Sequence, residues 1–159
     1  MTINNIPDNV LSLVDRLENG GYETYVVGGA VRDFIRNEPC HDYDIATSAK
    51  PSDCLALFSD MRIIETGIKH GTVTVVSGNI NVEITTFRKD GEYDDARHPK
   101  NVEFTSSVEN DLSRRDFTIN AMAYNPKRGL VDLFGGKQDI KNRIIRTVGD
   151  EKNVFPRMP

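Results

Sequence analysis

The apolar positions of the chain switch period several times, and each switch marks an element. In "IPDNVLSLVDRLENGG", Val10, Leu13, Val14 and Leu17 recur at helical spacing, and Gly20-Gly21 closes the pattern. "ETYVVGG" then reads as a short buried strand, and "AVRDFIRN" as a helix of about two turns. "HDYDIAT" alternates polar and apolar residues as a strand does. "KPSDCLALFSD" carries a cap signal at Ser52 and continues as a helix. The clearest hairpin is "TVTVVSGNINVEITTFR", two β-branched runs hinged at "SGN". "KDGEYDDARHPKN" is polar, contains Gly and Pro, and predicts a mobile loop. "SVENDLSRRDFTINAMAYN" has a helical pattern, which the β-branched Thr118 and Ile119 weaken. "GLVDLFGG" predicts a strand and turn, and "KQDIKNRIIRTVGD" a helix followed by a short strand. Strands and helices interleave around a central hairpin. That order predicts an α+β fold with a mixed sheet rather than a doubly wound parallel one.

Composition narrows the class. The 159 residues suffice for one good core. Hydrophobic residues are 38% and charged residues 28%, as in a globular domain. No apolar run approaches membrane-spanning length, so no membrane partner is expected. The start, "MTINNIPDNV", lacks a basic segment followed by an apolar one, so no signal peptide is expected. Cys40 and Cys54 make no disulfide framework and read as cytosolic thiols, which suggests a cytoplasmic protein. A net charge of −4 argues against wrapping nucleic acid by bulk electrostatics. It leaves room for a small nucleotide site, because arginines cluster locally.

Three stretches could carry chemistry. Asp42 and Asp44 lie two apart in a strand pattern, which puts both carboxylates on one face with Cα atoms roughly 6.5–7 Å apart. Such a pair can hold Mg²⁺, a hard cation that prefers oxygen ligands and substrate phosphates. Two such ions would clamp the attacking and leaving oxygens of a displacement at phosphorus. Asp-x-Asp is equally an ordinary solvated turn. Glu83 in "NVEITTFR" faces away from Val82 and Ile84. It joins the same face if its strand neighbours that of Asp42, and otherwise sits on the wet side of a hairpin. Gly28-Gly29 would let backbone N–H groups approach a polyphosphate at the start of a helix, with Arg32 in its first turn. It would also serve a plain strand-to-helix turn. In "SRRDFTINA", Arg114 and Arg115 offer guanidinium forks. Asp116 and Asn120, four apart, would share a helical face able to bind a ribose. A solvated Arg-Arg-Asp cluster fits the same residues. A Walker loop, a Gly-x-Ser-x-Gly elbow and zinc-ligand spacing are all missing from the sequence. The three histidines, His41, His70 and His98, are scattered.

In this order, "VGGAVRD", "HDYDIATSAKP", "VEITTFRKDGEYDDARHP" and "SRRDFTINAMAYN" resemble the class II tRNA nucleotidyltransferase family. That family comprises bacterial and eukaryotic CCA-adding enzymes, their CC- and A-adding relatives, and bacterial poly(A) polymerases. "GLVDLFGGKQDIKNRIIRTVGD" is similar to its head-to-neck passage. The Gly-Gly form is unlike the archaeal class, whose signature uses Gly-Ser. The resemblance implies a head domain over 1–150, with a mixed, mostly antiparallel sheet of about five strands flanked by helices. It implies addition of C or A from CTP or ATP to the 3′ end of tRNA, with release of pyrophosphate. Asp42 and Asp44 would hold the catalytic Mg²⁺ ions, with Glu83 as a supporting third carboxylate. Gly28, Gly29 and Arg32 would contact the triphosphate, and Arg115, Asp116 and Asn120 the phosphate and sugar. Lys89 to Asn101 would be the flexible loop that takes part in switching from C to A addition.

The resemblance ends near Asp150. There the family continues into a helical neck with a Glu-Asp-x-x-Arg motif that pairs with the incoming base. This sequence reads "EKNVFPRMP", whose prolines oppose a long helix. Residues 151–159 are therefore expected to be a tail without the base-selecting neck, body and tail regions. Two alternatives follow: a poly(A) polymerase of the same family, and a nucleotide-binding module without turnover.

Overall fold

The computed structural model of the chain describes residues 5–40, 42–90, 102–149 and 154–155. In chain order these form α1 (Asp8–Asn19), β1 (Thr24–Val27), α2 (Gly29–Ile35), β2 (Tyr43–Thr47), α3 (Pro51–Leu57), β3 (Arg62–Ile64), β4 (Thr72–Ser77) and β5 (Ile80–Thr86). There follow β6 (Arg88–Asp90), β7 (Val102–Phe104), α4 (Val108–Ser113), β8 (Ala123–Asn125), β9 (Gly129–Val131), α5 (Gly136–Asn142), β10 (Ile145–Arg146) and β11 (Val154–Phe155).

The main sheet has seven strands in the order β3-β4-β5-β2-β1-β8-β9, two more than the resemblance implies. The extra strands are short. β3 is an edge strand of three residues, and β8 lies in a stretch that reads as helix. Every pairing is antiparallel except that of β2 with β5. The α+β class and the mostly antiparallel sheet are thus as expected.

Alternation along the strands divides the core in two. Val26, Ile45, Val82 and Ile84 point to one face, where they meet Val10, Leu13, Val14 and Leu17 of α1, Val31 and Phe34 of α2, and Cys54 of α3. Each α1 residue of that stripe is at most 1% exposed, and its burial contributes about 1.5–3 kcal/mol. Tyr25, Val27 and Ala46 point to the other face, where Val108 and Leu112 of α4 and Phe87 cover them. This second cluster is small and covers only part of its face. Asp44 and Glu83 alternate with the first core and so belong to the second, partly open face.

Local chemistry explains most element ends. Gly21 takes a left-handed φ of 93° after α1. Gly78 opens the β4–β5 turn with φ 62°, as a tight primed hairpin turn demands. The cap of α3 is Lys50 rather than Ser52. Pro51 occupies the first helical position, which suits its fixed φ, and the Asp53 carboxylate accepts the Lys50 N–H at 3.0 Å. The predicted helix through "SVENDLSRRDFTINAMAYN" breaks at Ser113. Asp116 lies in a bend, Thr118–Asn120 form one 3₁₀ turn, and Ala123–Asn125 add β8 beside β1. Tertiary pairing overrides the helix propensity of Ala and Met there. The buried Thr118 hydroxyl is also tied to Asp139 at 2.6 Å. Lys89 and Asp90 of the expected loop belong to β6, paired with β7, whereas residues 91–101 lie outside the described residues. Within the expected tail, Val154 and Phe155 pair with β10.

Gly136 at the start of α5 sits against this irregular segment. A Cβ there would stand 2.3 Å from the Thr118 carbonyl oxygen and 3.0 Å from Met122 Sδ. Gly→Ala in a helix ordinarily stabilises. Here Gly136→Ala should instead lower the unfolding free energy by on the order of 1–3 kcal/mol, because backbone must move. Urea titration checks this, and unchanged or raised stability would refute the contact.

Candidate active site

The pairing of β2 with β5 builds the site. It is parallel and in register, with Asp44 opposite Glu83 and Tyr43 opposite Val82. The neighbour relation left open by the sequence therefore holds, and Glu83 joins Asp44 on one face. On the far side of β5, the hairpin register places Thr74 opposite Glu83. Asp42, Asp44, Glu83, Thr74, Asn81 and Ile64 line a cleft of about 580 Å³.

Asp44 also belongs to a second cleft. Gly28, Gly29, Arg32, Arg114, Arg115, Asp116 and Asn120 line the rest of that space, about 450 Å³. The Gly-Gly turn follows β1, the strand next to β2, so the pleated sheet itself brings the turn to Asp44. Gly28 has φ 71°, a conformation that favours glycine, and its N–H bonds the Met122 carbonyl at 3.3 Å. Arg32 Nη1 donates to Asn120 Oδ1 at 3.0 Å, and its Nε donates to Asp33 at 3.0 Å. Arg115 Nη2 donates to the buried Asp111 at 3.0 Å. All the expected nucleotide-contacting residues thus meet in one cleft. Asp116 and Asn120 reach it from a bend and a 3₁₀ turn rather than from a shared helical face.

Electrostatics sets the two clefts apart. Burial, then the charge of Glu83 and a hydrogen bond with it, push the Asp44 carboxyl up to about 6, while Arg115 opposes the shift and Asp42 adds to it. Two carboxylates are held together here without enough positive charge to neutralise them. Such a donor set fits a hard divalent cation. Among the described residues no three His, Cys, Asp or Glu side chains converge as a complete ligand set. A cation of the Mg²⁺ type does not require one, since one or two carboxylates with substrate phosphates suffice. His41 and His98 lie outside the described residues, and His70 is exposed beyond the site.

Residues 24–146 match the poly(A) polymerase head domain family. The chain belongs to that family. It is 50% identical over 145 residues to a CCA-adding enzyme of Anoxybacillus flavithermus, an alignment covering 91% of this chain and 36% of the relative. It is similar to the crystal structure of the Bacillus stearothermophilus CCA-adding enzyme in complex with CTP, with a TM-score of 0.79 and 46% identity over 92% of this chain and 34% of that one. The Thermotoga maritima CCA-adding enzyme complexed with tRNA gives a TM-score of 0.69 and 29% identity over 88% of this chain and 32% of that one. The chain spans about a third of the length of the curated relatives it matches. Nucleotidyltransferases of this family generally use a divalent metal. Among the described residues no helix is long and apolar enough to cross a membrane.

Sequence reasoning missed Asp111, Thr74 and Asn81. The last two were within reach. Counting back along both strands from the Gly78 turn pairs Thr74 with Glu83, and Asn81 shares a strand face with Glu83. Asp111 stands four residues before Arg115, the spacing of an ordinary helical ion pair, and only its second bond, from the Arg88 N–H of β6, lay out of reach of the sequence.

The Asp44 shift has a signed consequence. Its folded value of about 6 lies above the ordinary 3.8, so the folded chain binds the proton more tightly. That contribution is full below about pH 4 and is lost as pH rises through 6. With chelator present, Asp44→Asn should therefore be the more stable at pH 8, by on the order of 1–2 kcal/mol after discounting for partial exposure. The gap should close by pH 4, and millimolar Mg²⁺ should stabilise the wild type alone. Thermal melts across pH test this, and a pH-independent gap would contradict the shift.

Proposed function

We propose that this chain is the head of a template-independent RNA nucleotidyltransferase that adds C and A from CTP and ATP to the 3′ end of tRNA. One observation carries the reading: Asp44 is shared by the carboxylate cleft and the Gly-Arg cleft. A phosphate lying against Arg32 and Arg115 then sits beside the carboxylates. The CCA-adding relatives, among them the CTP and tRNA complexes, support the substrate class.

Asp42 and Asp44, with Glu83 beside them, would hold Mg²⁺. When bound, Mg²⁺ supplies charge for the triphosphate and lowers the pKa of the attacking hydroxyl. The chain's own residues do the rest. The turn at Gly28-Gly29 keeps side chains out of the phosphate's path. Arg32 and Arg115 hold the triphosphate by charge-assisted bonds and receive the charge that builds on the leaving pyrophosphate. Asp116 and Asn120 offer acceptors to the ribose hydroxyls. Glu83 holds Asp44 in place. The RNA 3′-hydroxyl gives up its proton to solvent and its oxygen attacks the α-phosphorus. A new P–O bond forms, and the bond from the α-phosphorus to the oxygen bridging to the β-phosphate breaks, releasing pyrophosphate. Free thiols at Cys40 and Cys54 suit a cytoplasmic setting.

Labelled CTP and ATP, offered with tRNA lacking CCA, test the reading. The chain should be assayed alone and joined to the remaining length of the Anoxybacillus flavithermus relative. The joined protein should add C and then A, and Asp42→Ala or Asp44→Ala should abolish transfer without loss of fold. Near wild-type turnover in either variant would sink the metal assignment. A homopolymer of A would favour the poly(A) polymerase reading.

The chain alone should bind the four nucleoside triphosphates alike, since Gly29, Arg32 and Arg115 face groups that all four share. Arg32→Ala should weaken CTP and ATP equally, by on the order of 1.5–3 kcal/mol. In calorimetric titration with Mg²⁺, a preference for CTP and ATP above about tenfold would show that these residues are not the whole of recognition.

A further inference from the structure

Asp111 lies outside both clefts and is 2% exposed, yet both its oxygens are used. Oδ2 accepts Arg115 Nη2 at 3.0 Å, across one turn of chain. Oδ1 accepts the backbone N–H of Arg88 at 2.9 Å. Arg88 is the first residue of β6, so the second bond ties the foot of the β6–β7 ribbon to α4. The first bond fixes the far end of the Arg115 fork. The near end, Nη1, then lies next to Gly28, 3.4 Å from where a Cβ on that residue would stand. Arg115 Nε is buried without a hydrogen-bond partner among the described residues. Without Asp111, little would keep this guanidinium aimed at the Gly-Gly turn.

We propose that Asp111 is the positioning residue that sets Arg115 for the triphosphate and locks the phosphate cleft to the foot of the β6–β7 ribbon. The proposal rests on the triphosphate reading of the cleft. An arginine in a half-buried cleft can collapse onto several acceptors, and a buried carboxylate on one nitrogen leaves the other free in a single orientation. The same carboxylate ties that orientation to the position of the ribbon.

The test is a double-mutant cycle on the Kd of CTP in Mg²⁺, with thermal melts as a check of folding. Asp111→Asn keeps an acceptor for the Arg88 N–H but turns its amide donor toward a donor on Arg115. It should raise the Kd about tenfold, as should Arg115→Ala. The double variant should be no worse than Arg115→Ala alone, since no arginine remains to position. Arg115→Lys probes the same point without touching Asp111. A single ammonium cannot serve both the carboxylate and the cleft, so this variant should bind CTP as weakly as Arg115→Ala. If Arg115→Ala leaves the Kd unchanged, Arg115 does not meet the triphosphate and the proposal falls; if Arg32→Ala leaves it unchanged as well, the triphosphate reading of the cleft falls with it. If Arg115→Ala weakens binding but the two losses add, or Arg115→Lys binds like the wild type, the cleft stands and the positioning role is refuted.

Discussion

One ladder governs this structure, the parallel pairing of β2 with β5. It is the only parallel pairing among the described strands of a sheet otherwise antiparallel throughout. Its register fixes Asp44 against Glu83, and a slip by one residue would turn every side chain of one strand to the other face. Val82 and Ile84 resist that slip because their burial in the first core depends on the same register. The apolar face therefore holds the carboxylates together against their mutual repulsion, and burial first, with the charge of Glu83 second, raises Asp44 to about 6.

The sheet's two faces share the work unequally. One is closed by α1, α2 and α3 and carries most of the apolar burial. The other is covered by α4 and Phe87 over β1, β8 and Ala46 of β2, but left open at Asp44 of β2 and over the adjoining parts of β5 and β4. Stability is gathered on the closed face, so the open one can present charged groups. At the boundary stands the segment after α4, irregular because Arg115, Asp116 and Thr118 each bond to a different part of the chain: Arg115 to Asp111 of α4, the Asp116 carbonyl to the Val148 N–H, and Thr118 to Asp139 of α5. It carries Arg115 and Asn120 to the cleft, which a continuous helix would not do.

Much of this was legible in the sequence where local pattern and tertiary need agree. The α1 stripe, β1 and the β4–β5 hairpin are β-branched or amphipathic runs with glycine at an end, and β2 alternates polar and apolar residues. The residues from Gly28 to Asn120 that line the candidate cleft were legible as types and order, since phosphate chemistry asks for glycine, arginine and carboxylate. Pairing partners were not legible. β8 reads as helix because Ala and Met favour one, and only its place beside β1 makes it a strand. The cap of α3 was misplaced because Ser52 is a good cap by type, whereas Pro51 already fixes the first turn. Asp111 beside Arg115 resembles any exposed i,i+4 ion pair, and only the fold shows that it is buried and also holds the Arg88 N–H.

The crossover between β2 and β5 bears on how the protein is made. Antiparallel neighbours can zip from a turn, as β4 and β5 do around Gly78. The β2–β5 pair cannot, since α3, β3 and β4 must all be laid down between its strands. Its closure entropy falls due before its contacts form, which is the slow kind of step in folding. The carboxylates would thus come together late and would repel as they do. A divalent cation that meets them only once they are adjacent binds the native chain and not the unfolded one. If these carboxylates hold the proposed divalent cation, the same ion would also draw the sheet shut, and its concentration during synthesis would influence how much chain reaches the native state.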